Sequence, residues 1–246
     1  GLYFAKLDTS GNVLLETTHY DAQGDEYFFE VNTNMIACQD GGYALVGVMF
    51  FRNYPIMIKL NHDGTLDFVK EYPDDSVFNI HHWNPIEVQS GYITVGAKQQ
   101  MSDGIWDAFV MRTDKLGNKV WEIAYGEPNI WDDFQNINYV NDNEYLISGS
   151  IGIGFSQVQS LTDQWSINKA FSIDSNGLVF EDWESEIRYN PASFGMARLQ
   201  PANDSNWFSI GVNTLIIENY EYPINQVEIT KRNANFEPIS TTPIYN

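Results

Sequence analysis

The 246-residue sequence is poor in cysteine, in basic side chains and in long apolar runs, and each shortage excludes a class of protein. Cys38 is the single cysteine, so no disulfide can form within the chain. The residues before it read as a strand, and we therefore expect a buried, unreactive thiol. No apolar run approaches the roughly 18 residues that a membrane helix needs, so we expect no insertion into a membrane.

Basic residues are outnumbered, with 13 Lys and Arg against 33 Asp and Glu and a formal net charge of −20. A field of that sign repels phosphate backbones, so we expect no nucleic-acid partner. Neutral glycans and proteins remain open as partners. Calcium is the ion that such a surface favours, but no loop has the ligand spacing of an EF-hand. We expect no cofactor, with calcium as the open alternative.

Helical periodicity is also missing, whereas aromatic residues are abundant. Phe, Trp and Tyr make up 15% of the chain and hydrophobic residues 43%. Aromatic side chains favour strands, and this apolar content is enough to bury a large core. The composition therefore predicts an all-β protein.

A hairpin turn recurs along the chain. An apolar strand leads to Asp or Asn, a glycine follows within three residues, and a second strand begins. The turn glycines Gly11, Gly64, Gly117 and Gly177 are 53, 53 and 60 residues apart, and Asn235 occupies the fifth place. Glycine permits the positive φ that closes a short hairpin, and an aspartate can accept backbone N–H bonds there. The predicted turn aspartates are Asp8, Asp63, Asp114 and Asp174.

A second landmark is a strand with an aromatic residue four positions before a glycine. Its glycines are 49, 53 and 62 residues apart, close to the period of the turns. Two landmarks with one period predict repeats of four short strands, which fit radial blades better than a sandwich. The pairs are Tyr43 and Gly47, Tyr92 and Gly96, Tyr145 and Gly149, and Trp207 and Gly211.

A longer pattern runs through the middle of the chain. It begins with an aromatic residue, Asp, Gly-Asn and Trp in residues 106–121, continues with Tyr-Gly at residues 125–126, and ends with Tyr-x-x-x-Gly at residues 145–149. Residues 40–43 add the Asp-Gly-Gly-Tyr portion. This pattern resembles the propeller repeat of secreted and cell-surface bacterial proteins. The resemblance covers most of the chain, most clearly residues 40–150. It implies a non-catalytic module displayed outside the cell, and the family has no defined catalytic residues to carry over.

Together these features predict a β-propeller of four-stranded antiparallel blades in a single domain over residues 1–246. Four complete blades follow an opening half-blade, so the chain is expected to be an excerpt of a larger propeller or to cover that hairpin irregularly. The repeat units are predicted at residues 1–50, 51–102, 103–165 and 166–224, with a partial unit at 225–246.

Candidate ligand-binding residues lie in or near the predicted loops at one end of the blades. They combine aromatic rings that could stack on sugars, paired carboxylates and two adjacent histidines. Consecutive residues of a strand point to opposite sides, so the two histidines do not predict a metal site. The candidates are His81, His82, Trp83, Trp106, Trp131, Asp132, Asp133, Trp165 and Tyr189.

The sequence predicts a non-catalytic extracytoplasmic binding or display module, secreted or held on a bacterial surface, whose partner is a glycan or a protein. No catalytic residue is assigned. Two alternatives stay open. One is a glycan-processing hydrolase or lyase that uses loop carboxylates and a histidine, and the other is a structural spacer in a larger surface protein.

Overall fold

A computed structural model describes residues 2–21, 24, 34–49, 54–74, 77–102, 104–125, 131–153, 165–184, 188–189, 198–202, 206–215, 224–233, 235 and 238–244. Over these ranges every regular element is a β-strand. In the same ranges no helix is long and apolar enough to span a membrane.

The strands form one hairpin and four sheets. The hairpin contains β1 (Leu2–Leu7) and β2 (Val13–His19). Sheet I contains β3 (Asn34–Ala37), β4 (Tyr43–Met49), β5 (Tyr54–Leu60) and β6 (Leu66–Glu71). Sheet II contains β7 (Val77–Val88), β8 (Gly91–Gln100), β9 (Trp106–Asp114) and β10 (Lys119–Tyr125).

Sheet III contains β11 (Trp131–Asn141), β12 (Glu144–Ile153), β13 (Trp165–Ile173) and β14 (Val179–Glu184), and the short β15 (Arg188–Tyr189) also pairs with β13. Sheet IV contains β16 (Arg198–Pro201), β17 (Trp207–Leu215), β18 (Ile224–Arg232) and β19 (Pro238–Ile244). In every sheet the strands follow one another in chain order and pair antiparallel.

The predicted all-β class and the four-stranded antiparallel sheets are confirmed. Each aromatic–glycine strand is the second of its sheet. Gly64, Gly117 and Gly177 lie between the third and fourth strands of sheets I to III, and Gly11 lies at the equivalent turn of the hairpin. Among the described residues, β1 pairs only with β2, so the opening hairpin is a separate sheet without inner strands.

The turns between third and fourth strands are closed by glycines with positive φ. These angles are 84° at Gly11, 78° at Gly64, 74° at Gly117 and 82° at Gly177. An L-residue with a side chain pays about 1–2 kcal/mol for this conformation. A register shift accompanies each turn, as expected for a bulged hairpin.

The turn aspartate binds the backbone that follows it. Asp114 accepts hydrogen bonds from the Leu116 and Asn118 backbone N–H groups at 2.9 and 2.8 Å and from Asn118 Nδ2 at 2.8 Å. In the turn around Gly64, a different residue accepts these hydrogen bonds. Asn61 stands at the Asp114 position, and Asp63 accepts hydrogen bonds from the Thr65 N–H and hydroxyl.

We expect the free energy of unfolding of the Asp114→Asn variant to fall less steeply with decreasing pH than that of wild type. The Asn118 side chain, and then backbone N–H bonds, hold the pKa of Asp114 below its ordinary value of 3.8. A lowered folded-state pKa gives stability that is present above pH 3.8 and is lost as the pH falls through the folded value. Urea midpoints measured from pH 6 down to about pH 2.5 test this. The control is Asp67→Asn on β6, and a variant whose acid slope equals that of wild type would contradict the assignment.

Sheets I and II are buried on both faces along their second strands. The side chains of β4 and β8 do not alternate between core and solvent, because each strand is buried along nearly its whole length. Four apolar clusters form the successive contacts. The first cluster joins the hairpin to sheet I, with Phe4 and Ile56. The second joins sheets I and II through Met57 and Met111, and the third joins sheets II and III through Val110 and Phe171. The fourth joins sheets III and IV through Leu146 and Trp207.

One contact recurs between neighbouring sheets. A Cβ atom built on Gly64 would lie 2.9 Å from Leu15, one on Gly117 would lie 2.6 Å from Phe68, and one on Gly177 would lie 3.3 Å from Trp121. Each of these apolar residues stands four positions after the turn glycine of its own hairpin. The outer strand of one unit thus covers the turn of the next, where there is no room for a side chain.

A hydrogen bond accompanies this packing. The side chains eight positions after the turn glycines, His19, Tyr72 and Tyr125, donate to the carbonyl oxygens of Gly64, Gly117 and Gly177 at 2.8, 2.7 and 3.3 Å. The positions four and eight residues after Gly177 hold Glu181 and Ser185 instead. The sequence therefore does not carry the same contact forward from sheet III to sheet IV.

In sheets I, II and III a polar contact connects the third strand to the turn between the first and second strands, or to the residue that follows it. The buried Lys59 ammonium donates to Asp40 Oδ2 at 2.7 Å. Arg112 donates to the Ser90 hydroxyl, and the Ser172 hydroxyl donates to Glu144 at 3.0 Å. Asp40 also accepts the Gly42 N–H at 2.8 Å, which gives the Asp-Gly-Gly-Tyr motif a structural role.

Candidate functional site

The first strands of the four sheets follow one another in space. Strand β3 contacts β7, β7 contacts β11, and β11 contacts β16. Their other edges pair with the second strands of their own sheets. The four first strands therefore lie next to one another in series, and we call them the inner strands.

Two inner strands are distorted at the same place. In β7 the register shifts between His82 and Pro85, and in β11 it shifts between Phe134 and Asn136. Each bulge lies next to a repeat glycine, because His82 pairs with Gly96 and Phe134 pairs with Gly149. Bulges of this kind change the direction of side chains and are frequent beside active and binding sites.

The second bulge contains an unusual run of buried polar residues. Asp132, Asp133, Gln135 and Asn136 are only 1%, 8%, 4% and 1% exposed. Phe134, between them, packs in the apolar cluster of sheets II and III. Burying polar groups costs free energy unless each one is hydrogen-bonded, so such a run in an inner strand needs a physical reason.

Some of these groups bind one another. Asn84 of the β7 bulge donates from Nδ2 to Asn136 Oδ1 at 2.5 Å, which joins the two distorted strands. Gln135 donates from Nε2 to Asp133 Oδ2 at 3.0 Å. Asp132, Asp133 and Asn136 make further polar interactions. We call these five residues, Asn84, Asp132, Asp133, Gln135 and Asn136, the inner polar cluster.

Two buried oxygens at the inner polar cluster have no hydrogen-bond partner among the described residues. They are Gln135 Oε1 and the hydroxyl of Ser148, whose residue pairs with Asn136 across the sheet. An unsatisfied buried acceptor costs about 1–3 kcal/mol, so packing within the chain does not explain this position. Gln135 also contacts the Asp133 carboxylate, and acceptor oxygens of this kind suit a ligand rich in hydroxyl groups.

The described side chains support a metal site less well than a hydroxyl-rich ligand. In the described ranges no group of three or more His, Cys, Asp or Glu side chains is placed to hold a metal ion. Two carboxylates and amide oxygens could serve calcium, which accepts such ligands, and calcium stays a prediction.

A second buried charge is already compensated. The Lys98 ammonium, in a side chain that is 5% exposed, donates to Asp74 at 3.2 Å and to Glu122, and it lies 5.0 Å from the centre of the Phe109 ring. This network stabilises the contact between sheets I and II, because Phe109 belongs to the cluster there.

The predicted aromatic residues do not form one exposed platform among the described side chains. Trp106 is buried, with 8% exposed, so it offers no open ring face for a sugar. For Trp165 and Tyr189 the structure describes only the backbone, which pairs the two residues opposite each other. His81, His82, Trp83 and Trp131 lie in β7 and β11, and their side chains fall outside the described part.

Cys38 is buried at 7% exposure, and its sulfur lies 3.9 Å from the Tyr92 hydroxyl. Removal from water, first among the causes, raises the pKa of the thiol. A raised pKa keeps the sulfur protonated and poorly nucleophilic, so Cys38 is not a candidate catalytic residue.

Sequence reasoning missed Asn84, Gln135, Asn136 and Ser148. No motif marks them, but a signal was present. The run Asp132, Asp133, Phe134, Gln135, Asn136 places four polar residues inside a strand that adjoins apolar sheets on both sides. Such a departure from an apolar strand pattern is itself evidence of a site.

No protein-family model matches the sequence, and no curated protein matches it either. Among solved structures the chain is similar to the α-L-arabinofuranosidase Arb93A of Fusarium graminearum, a structure in complex with an iminosugar inhibitor. The similarity has a TM-score of 0.56 at 9% sequence identity and covers 89% of this chain and 68% of that one. At this identity the comparison concerns the fold alone, and it extends over nearly all of the strands described above.

Proposed function

We propose that this chain is a propeller-like, non-catalytic module that binds a neutral glycan at the inner polar cluster. In this proposal the four sheets and the opening hairpin are blades around a common axis, and the inner strands line that axis. The module acts outside the cell, either secreted or on a bacterial surface. One observation carries the proposal, namely the buried, unsatisfied acceptor Gln135 Oε1 in the side chain that donates to the buried carboxylate of Asp133, on a bulged inner strand.

The chemistry of the cluster supports a sugar. Asp132, Asp133 and Gln135 present acceptor oxygens, and the hydroxyl groups of a glycan are donors that can satisfy them. The net charge of −20 disfavours anionic ligands, so a neutral glycan is the better match. The succession of sheets packed face to face supports the propeller arrangement, because sheets buried on both faces need a neighbour on each side.

The structural neighbour suggests a first probe. Its printed name gives an α-L-arabinofuranosidase in complex with an iminosugar. Arabino-oligosaccharides are therefore the first ligands to test, before other neutral oligosaccharides. The same neighbour favours a second candidate function, a glycan-processing hydrolase or lyase. In that case the carboxyl groups of Asp132 and Asp133 would serve as the acid and the base or nucleophile that cleave the glycosidic bond.

We expect Gln135→Leu to weaken oligosaccharide binding by at least about tenfold, which corresponds to about 1.4 kcal/mol. The change removes the free acceptor and replaces it with an apolar side chain of similar size. The urea midpoint should fall little, because the orphaned oxygen is lost together with one hydrogen bond to Asp133. Titration calorimetry with arabino-oligosaccharides measures the affinity.

The matched control is Gln39→Leu, since Gln39 is exposed in the turn between β3 and β4. It should bind as wild type does. Equal affinity in the wild type and the Gln135→Leu variant would overturn the proposed site. Release of reducing ends from the oligosaccharide, abolished by Asp133→Asn, would favour the hydrolase over the binding module.

A further inference from the structure

Within the described ranges, the opening hairpin has an unpaired edge at the position where every other unit has a strand. The strands that correspond to β1 are β5, β9, β13 and β18, which are third in their sheets and pair on both sides. Among the described residues, β1 pairs on one side only. An unpaired strand edge presents a row of N–H and C=O groups that can accept another strand.

The side chains of β1 are exposed where their equivalents are buried. Tyr3 and Leu7 stand eight and four positions before the turn glycine and are 60% and 54% exposed. The residues at the same two positions are 0% exposed in sheet I and at most 1% exposed in sheet II. They are Ile56 and Leu60, and Phe109 and Thr113.

The complete sheets define the register of the absent partner. The second-strand glycine lies opposite the residue eight before the turn glycine, as in the pairs Gly47 with Ile56 and Gly96 with Phe109. The second-strand tyrosine lies opposite the residue four before it, as in Tyr92 with Thr113. Sheet III repeats both pairings, Gly149 with Lys169 and Tyr145 with Ile173.

We propose that the free edge of β1 is a docking site for a pair of antiparallel strands of the chain's own repeat type. The strand next to β1 carries the aromatic-x-x-x-Gly pattern. Its aromatic residue lies opposite Leu7, and its glycine lies opposite Tyr3. The ring of Tyr3 therefore fills the space above that glycine. The association is strand addition, in which main-chain hydrogen bonds give affinity and the alternating side chains set the register.

The test adds such a pair to the full chain. Gly1 stands ten residues before Gly11, as Tyr54 stands ten before Gly64. A copy of residues 34–53 joined directly to Gly1 therefore reproduces the spacing of sheet I. We expect hydrogen exchange of the β1 amides to slow by at least about tenfold and the melting temperature to rise by several degrees.

The matched control is the same extension with Leu45→Pro and Gly47→Pro in the copied segment, because proline cannot donate to a strand ladder. It should leave β1 exchange as in the unextended chain. Leu7→Asp should abolish the protection in the extended chain and change little in the unextended one.

A second arm uses the unextended chain with a synthetic peptide of residues 34–49 that carries Cys38→Ser. Saturable slowing of β1 exchange by this peptide supports the proposal even if the extended chain does not fold. If neither the extension nor the peptide slows exchange at β1, or if the proline control slows it equally, the proposal is overturned. Binding of oligosaccharide by the inner polar cluster is unaffected by either outcome.

Discussion

Gly117→Ala is expected to destabilise the protein by about 3 kcal/mol. The left-handed backbone at this turn costs an alanine about 1–2 kcal/mol. The new methyl group would also lie 2.6 Å from Phe68 Cε2 and 2.7 Å from Lys70 Cγ, on the outer strand of the preceding sheet. Overpacking of that kind adds about 1–3 kcal/mol. Urea unfolding followed by tryptophan fluorescence measures the loss.

Gly11→Ala is the matched control, since it has the same turn geometry with φ of 84° and no described atom within 4 Å of the added Cβ. It should cost only the backbone term, about 1 kcal/mol. The difference between the two variants therefore reports the contact between sheets. Equal losses would contradict the packing of Phe68 over the turn.

Gly149→Ala should cost about 3 kcal/mol or more and should abolish oligosaccharide binding. A Cβ at this position would lie 2.1 Å from the Asp133 carbonyl oxygen and 2.8 Å from Phe134 Cα. Both contacts are with backbone, which cannot rotate away as a side chain can. The strand carrying Asp132, Asp133 and Gln135 would have to move from β12, and the bulge would lose its geometry. Unfolding in urea and titration with arabino-oligosaccharide give the two readouts.

Ser148→Ala, at the neighbouring position, is the control for this second variant. Its hydroxyl is buried without a hydrogen-bond partner in the described ranges, so its removal should be neutral or stabilising by up to about 1 kcal/mol. Strand β12 keeps its backbone contacts in this variant. A Gly149→Ala protein that is as stable as Ser148→Ala would show that the close approach of β11 and β12 is wrong.

The order of the strands could be predicted from the sequence because two landmarks are fixed by backbone geometry. Gly117 adopts a positive φ, and Tyr92 and Gly96 stand four residues apart in β8, as Tyr43 and Gly47 do in β4. These requirements are local, so they can be read without knowledge of the partners. The hairpin of β1 and β2 has the turn landmark of the other units, and in the described ranges it forms a sheet of its own.

The contacts between sheets were harder to predict. Phe68 and Tyr72 meet Gly117, which is 45 residues or more further along the chain, and only the three-dimensional arrangement connects them. Trp106 was predicted as a ligand-binding aromatic because it lies near a predicted loop, yet it is buried. A strand pattern gives alternation, but it does not say that both faces of a sheet will be covered.

The candidate site was predictable only in part. The sequence predicted Asp132 and Asp133 as ligand residues from their place at the end of a loop, and the structure puts both in the inner polar cluster. Their role in binding stays a prediction. The partners Asn84 and Asn136 come from different sheets and meet through two bulges, which no propensity or spacing indicates.

A double-mutant cycle between Phe68→Ala and Gly117→Ala tests the stacking of sheets most directly. Removing the Phe68 ring relieves two of the three close contacts of the methyl group that Gly117→Ala introduces, and the remaining one is with the flexible Lys70 side chain. The glycine substitution should then cost little more than its backbone term. The two changes should therefore be less than additive, with a coupling of about 1–3 kcal/mol. Strict additivity in urea unfolding would mean that the outer strand of sheet I does not cover the turn of sheet II.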